Sequence, residues 1–222
     1  MQKSYLTRAD AIEAIKNMKS FHDECMFLYE RHEMDFLDNL GRRNIVLSHA
    51  QEKFFAEALS KNHKDVINDG RTGQPDIVIQ SLDKELECKL TSRHKSGAIN
   101  FQSDYETLAQ KNNLDYLYVI ASSKFDKFAV LHFIDLNVED FRSLSNGSRG
   151  KVSMLKHKGM KKCNVLMGDV INNNEMHIKN IQKRLLNSNL TAAKRQKEQK
   201  RLTYWKSTPG KYSFILESID EI

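Results

Sequence analysis

Residues 68–90 constrain the fold of this chain most. Asn68-Asp69-Gly70-Arg71-Thr72-Gly73-Gln74-Pro75 is a run of turn formers. Ile77-Val78-Ile79 follows as a short apolar run that reads as a buried strand. Ser81-Leu82-Asp83-Lys84 suits a tight connection, and Glu85-Leu86-Glu87-Cys88-Lys89-Leu90 alternates polar with apolar residues, the period of a strand. The pattern predicts a β-hairpin. An isolated hairpin is at best marginal in water, so the rest of the chain must supply more strands and a covering layer.

The flanking sequence offers both. Residues 7–38 read as helical: Thr7 caps with Asp10 three residues on, and Ile12, Ile15, Met18, Phe21, Cys25 and Leu28 recur at helical steps. A break near Ser20-Phe21 is allowed, and Gly41 is expected to end the segment. Ser48 and Gln51 form a capping-box pair that opens a second helix, with Phe54, Phe55, Ala58 and Leu59 on one face and an end near Lys61-Asn62. Beyond the hairpin, the pattern predicts a helix over 101–112, strands over 116–121 and 128–134, and a short helix over 137–144. A flexible loop at 145–150 precedes a further strand over 164–170. Two helices span 175–202, broken around Asn187-Ser188-Asn189, and a last strand covers 212–216. This order predicts an α/β fold, a mixed β-sheet flanked by helices, with an additional helical, basic C-terminal lobe. At 222 residues the chain suits one domain or a domain with an appended lobe. The expected parts are an N-terminal helical segment at 1–47, a core at 48–135 and a basic region at 136–222.

The hairpin also carries the strongest chemical signal. Asp76 opens its first strand, and Glu87 and Lys89 sit two residues apart in the second, hence on one face. A tight turn brings Asp76 opposite them, so two carboxylates and an ammonium converge at a sheet edge. Carboxylates a few ångströms apart repel unless a cation sits between them. Mg²⁺, with Mn²⁺ as its substitute, is hard and takes one or two carboxylates plus other oxygens, and the main-chain carbonyl of Cys88 is a further donor. Such an ion neutralises phosphate charge, and Lys89 can orient or help deprotonate the attacking water and stabilise the transition state. Glu85 shares the face of Glu87 and reads as a solvated or ion-paired neighbour.

Pro75-Asp76, ten residues, then Glu87-Cys88-Lys89 resembles the PD-(D/E)xK nuclease motif. The preceding helix, the hairpin, the following helix and the next strand resemble the αβββαβ restriction-endonuclease-like core over about residues 48–135. The resemblance implies that Asp76, Glu87 and Cys88 bind metal, that Lys89 is the catalytic lysine, and that a glutamate on the preceding helix assists. Glu52 is the candidate for that glutamate, ahead of Glu57. Among such nucleases the chain is most like a type II restriction endonuclease. That implies a Mg²⁺-dependent, sequence-specific cut of double-stranded DNA to 5′-phosphate and 3′-hydroxyl ends by a homodimer. A phage, repair or junction-resolving nuclease of the same fold is the alternative within the class, and a non-catalytic DNA-binding protein the alternative outside it.

Charge points the same way. The net charge is +6, and residues 151–222 hold 15 basic against 6 acidic residues, so the whole excess sits in the last third. A concentrated positive field favours a polyanion. Lys151, Lys156, Lys158, Lys161 and Lys162 fall within twelve acid-free residues and read as a phosphate clamp. Lys194, Arg195, Lys197 and Arg201 spread over a helix that ends in Tyr204-Trp205, which either meets a DNA groove or packs inward. Arg93, His94 and Lys95, just past the motif, are placed to touch DNA near the scissile phosphate. Other classes fall away. The longest stretch free of charged residues is nine, Leu185 to Ala193, too short to span a membrane. Absence of G-x-x-x-x-G-K-[ST] argues against a nucleotide-driven motor. An N-terminus without an apolar signal core and three dispersed cysteines predict a reducing, cytoplasmic setting.

Overall fold

The computed structural model describes residues 2–71, 74–93, 99–188 and 190–221. The chain forms two compact units, residues 1–169 with 216–222, and residues 170–215. The expected boundary at 47/48 falls inside a helix, and the basic region divides between the units.

The first unit opens with α1 (Arg8–Arg31). Thr7 and Asp10 cap it reciprocally as expected, and it runs through Ser20-Phe21 without a break. The second helix, α2 (Leu40–Ser60), starts eight residues before Ser48. Asn39 is its cap, accepting a hydrogen bond from the Arg42 main-chain N–H at 3.1 Å. Gly41 is therefore in the first turn rather than a terminator, and the Ser48 hydroxyl turns back to the Ile45 carbonyl at 2.8 Å. The capping-box pattern at 48–51 is a local coincidence inside an established helix. Arg43, wholly buried, ties α2 to the sheet by donating to the Ser123 carbonyl at 2.6 Å and to Ser92 Oγ at 2.7 Å.

The hairpin follows. β1 (Val66–Asn68), which the sequence pattern does not announce, pairs with β2 (Ile77–Ile79), which pairs with β3 (Lys84–Ser92). A single 3₁₀ turn at Gln80–Leu82 connects β2 to β3, and Asp83 adopts φ 51° to close it. The helix expected over 101–112 is half extended. Phe101 precedes β4 (Gln102–Asp104), and only α3 (Tyr105–Lys111) is helical. Asp104 is the reason: its side chain accepts from the Glu106 N–H and caps α3, so the residues before it are extended.

β5 (Leu114–Ala121) and β6 (Lys127–Leu136) match the two expected strands and run slightly longer. The expected helix at 137–144 is one 3₁₀ turn, Val138–Asp140, capped by Asn137. β7 (Lys151–Ser153), which the pattern did not announce either, pairs with β4. α4 (Lys156–Gly159) leads to β8 (Cys163–Met167).

The expected strand over 164–170 thus ends at Met167. β9 (Asp169–Asn172) opens the other unit, followed by α5 (Asn173–Leu185), α6 (Ala192–Ser207) and β10 (Tyr212–Ile215), which pairs with β9. The helix break near 187–189 falls as expected. The chain re-enters the first unit as β11 (Glu217–Ser218).

The main sheet is mixed, in the order β1-β2-β3-β5-β6-β11, with β8 also on β6. The β3–β5 pair is parallel and the others are antiparallel. Every residue of β5 is buried, which marks it as the strand covered on both faces. On one face Leu86, Cys88, Leu117 and Val119 meet Ile15, Leu47 and Phe55 of the two long helices in the apolar core. On the other, Tyr116 and Tyr118 join Phe101 and Phe133, with ring centroids 4.8–5.9 Å apart. No helix among the described residues is long and apolar enough to cross a membrane.

Candidate active site

The site forms where β2 stops short and leaves an edge of β3 unpaired. Ile77 stands opposite Leu86, so one step further along the same register Asp76 stands opposite Glu87. Ile77, Leu86 and Cys88 point into the core, and alternation sends Asp76, Glu87 and Lys89 to the opposite face. Parallel pairing sets Glu87 beside Tyr116 and Lys89 beside Tyr118 on that face.

Lys89 Nζ and Glu87 Oε1 form an ion pair, with the Glu87 side chain 13% exposed and that of Lys89 30%. The Cys88 N–H donates to Asp76 Oδ2 at 2.7 Å. A strand residue directs its N–H and C=O toward the same edge, so the Cys88 carbonyl also faces the Asp76 side. The Cys88 thiol is buried in the core, and burial pushes it well up, so it stays a neutral thiol. Any metal contact from this residue belongs to its main chain, as expected.

Glu52 approaches from α2. Its side chain is only 12% exposed, and its Oε2 lies 3.8 Å from His49 Nδ1. A Cβ on Gly70 would stand 3.4 Å from the same oxygen, so the loop before β2 closes over it. Glu57 instead pairs with Lys53 at 3.3 Å, one turn away in solvent. Of the two helix glutamates, Glu52 is the one whose charge reaches Asp76, Glu87 and Lys89. Glu85 pairs with Lys111 at 2.7 Å and takes no part.

The electrostatics follow from this crowding. Burial pushes the Asp76 carboxyl up to about 7, the Glu87 charge adds to it, and Lys89 with the Cys88 N–H only partly opposes it. Burial likewise raises Glu52 above the usual carboxylate range. For Lys89, burial works against the charge, but Glu87 and then Asp76 outweigh it and hold the ammonium above its ordinary value. Lys89 is therefore a fixed cation at neutral pH. That suits it to donating hydrogen bonds to an oxyanion and removes it as a base in this state, which narrows the role expected from the sequence.

The donor set fits a hard divalent cation. Asp76, Glu87 and the Cys88 carbonyl offer oxygen only, and a cation would offset both the burial that chiefly raises the Asp76 carboxyl and the Glu87 charge that adds to it. Among the described residues no three His, Cys, Asp or Glu side chains group into a metal shell. Mg²⁺ is commonly held by one or two carboxylates, its remaining positions going to water and phosphate oxygens.

A cavity of about 230 Å³ opens beside Lys89, bounded by β3, β5, β4 and the start of β7, and Lys151 lines it. Lys151 is thus the lysine of the expected clamp that the fold brings next to the site. The others are placed differently. Lys156 Nζ donates to the Ile99 carbonyl at 2.6 Å and sits 5.7 Å from the Phe101 ring centroid, half-buried. Lys158 bonds the Glu139 carbonyl at 2.9 Å. Lys162 bonds Asp140 and the Asp135 carbonyl, both at 2.7 Å. These three brace the segment around α4, and Lys161 remains exposed. Arg93 follows β3, with its main-chain N–H on the Ala121 carbonyl at 3.3 Å. His94 and Lys95 lie outside the described residues.

In the second unit, α6 buries none of its residues. Its half-buried positions are Arg195, Glu198, Leu202 and Trp205, one stripe at helical spacing. Trp205 stacks on His177 of α5 at 4.3 Å, so it packs inward rather than projecting as a groove reader. Arg195 caps α5 through the Leu185 and Asn187 carbonyls. Glu198, the lone acid of α6, is held by Arg184 and Arg201, each at 3.0 Å. Lys194 and Lys197 stay on the exposed side.

Compared with known proteins, the chain matches no family model, no curated protein and no solved structure.

Proposed function

We propose that this protein is a Mg²⁺-dependent DNA endonuclease, of the PD-(D/E)xK type and most like a type II restriction enzyme. The observation that carries the reading is the convergence of Asp76, Glu87 and Lys89 at the open edge of β3, with Glu52 entering from α2. The element order supports it: α2, β1, β2, β3, α3, β5 follows the αβββαβ order that the motif's resemblance implies, with β1 as the third strand and the β4 ribbon inserted before α3.

Asp76, Glu87 and the Cys88 carbonyl would hold the ion. When bound, Mg²⁺ neutralises phosphate charge and lowers the pKa of water. The residues then divide the work. Lys89, kept protonated by its neighbours, donates hydrogen bonds to a non-bridging phosphate oxygen and stabilises the charge that grows there. Glu52, whose carboxyl burial raises, stands beside the site where it can accept and pass a proton. A water oxygen attacks phosphorus, the bond to the 3′ oxygen breaks, and that oxygen leaves with a proton, giving 5′-phosphate and 3′-hydroxyl ends. Cutting both strands of a palindrome calls for a two-fold homodimer.

The test is a digest of mixed plasmid and phage DNA with Mg²⁺, beside EDTA and a Lys89→Ala control. Discrete fragments lost in both controls are expected. A smear lost in both would replace sequence specificity with a nonspecific or structure-selective nuclease. Absence of cutting with DNA still bound would favour a non-catalytic DNA-binding protein.

A further inference from the structure

The cavity beside Lys89 carries an inference of its own. Lys89 and Lys151 both line it, Thr91, Asn100 and Gln102 add neutral hydrogen-bonding groups, and Tyr118 lies against it. Among the described residues, those that line it include no carboxylate. The Tyr118 hydroxyl is already committed, donating to the Gln102 carbonyl at 2.7 Å, which fixes β4 over β5. The cavity is thus a polar, cationic recess that shares Lys89 with the trio of Asp76, Glu87 and Lys89.

Lys151 is held ready rather than locked. The β4–β7 register sets it directly opposite Asp104, and Nζ lies 3.1 Å from Asp104 Oδ2. Asp104 is anchored in turn by capping α3 through the Glu106 N–H at 3.2 Å. The two side chains of this pair are 52% and 38% exposed. An exposed pair of this kind contributes little, so Lys151 can leave Asp104 for a phosphate at small cost. Asp104 acts as a positioning residue that keeps the ammonium at the rim.

We propose that this cavity is a nucleotide subsite: it takes the phosphate and sugar of the residue adjoining the scissile phosphate, with Lys151 on the neighbouring phosphate. The proposal rests on the nuclease reading of the trio and deepens it. It makes Lys151 a binding contact that holds the strand beside the site, one phosphate away from Lys89.

The probe is thymidine 3′,5′-bisphosphate, titrated calorimetrically into the full-length protein, with DNA cleavage measured in parallel. Saturable binding is expected for the wild type. In Lys151→Ala it weakens about tenfold, one charge-assisted contact, and Lys151→Arg restores most of it. In the cleavage assay Lys151→Ala raises KM by a similar factor and leaves kcat within about twofold, the pattern of lost uniform binding. Thermal melts of the variants matching the wild type keep folding out of the comparison. No bisphosphate binding by the wild type, or equal binding by Lys151→Ala, overturns the subsite even if DNA is cut. Bisphosphate binding that depends on Lys151 without any cutting would keep the subsite and defeat the nuclease reading instead.

Discussion

Asp76 shows what the site costs the fold. Its carboxyl is pushed up to about 7 because it is buried against Glu87. A carboxyl raised in the folded state binds a proton there that the unfolded chain releases near pH 4. Its contribution therefore favours folding at low pH, declines as pH rises from about 4 to about 7, and is flat above. Asp76→Asn keeps an oxygen for the Cys88 N–H and removes the charge. Without divalent cations it should be more stable than the wild type above pH 7, by about 2 kcal/mol, roughly half the full linkage value because the side chain relaxes and meets solvent. The gap should close below pH 4. Thermal melts across pH with EDTA measure it, and an unchanged gap would refute the assignment of the strain to Asp76. The same titration predicts that Mn²⁺ affinity, followed by calorimetry, climbs through pH 7 and levels off above, since the ion competes with that proton.

At the scale of elements, the start of α2 decides where Glu52 stands. Asn39 satisfies the Arg42 N–H, and Ser48 makes only a bond to the turn before it. Asn39→Ala should cost about 1 kcal/mol in urea unfolding and Ser48→Ala nearly nothing. A reversed order would restore the start at Ser48 that the capping-box pattern suggests. The misreading has a physical cause. Ser-x-x-Gln has the same spacing at a helix start and inside a helix, and nothing local says whether the N–H groups it would cap are already bonded. β1 and β7 escaped notice for a related reason: three-residue strands carry too short an alternation to register, and each exists because a partner strand lies beside it.

The whole molecule sorts its basic residues into two groups that composition treats as one. Lys156, Lys158 and Lys162 bond carbonyls and Asp140 within the first unit, whereas the exposed side of α6 in the second unit keeps Lys194, Lys197 and Lys200 in solvent. If α6 meets DNA phosphates, the triple variant to Gln should weaken binding to any sequence and lower the slope of log affinity against log salt by about 2 to 3. Filter binding at several salt concentrations checks this. An unchanged slope would mark α6 as a solvated face.

The Asp76, Glu87 and Lys89 constellation and the alternation of the hairpin are legible in the sequence. A period of two and a tight turn leave few ways to arrange those side chains, and the long strands β5 and β6 announce themselves by unbroken apolar runs. Tertiary structure alone decided the rest. It placed Lys151 at the cavity and Lys162 on Asp140, and buried Arg43 against Ser92 and Ser123. Those choices depend on which of several equivalent charges the packing carries to a given place. A linear pattern orders residues along a strand or helix, whereas the neighbours of an ion are set by contacts between elements far apart in the chain.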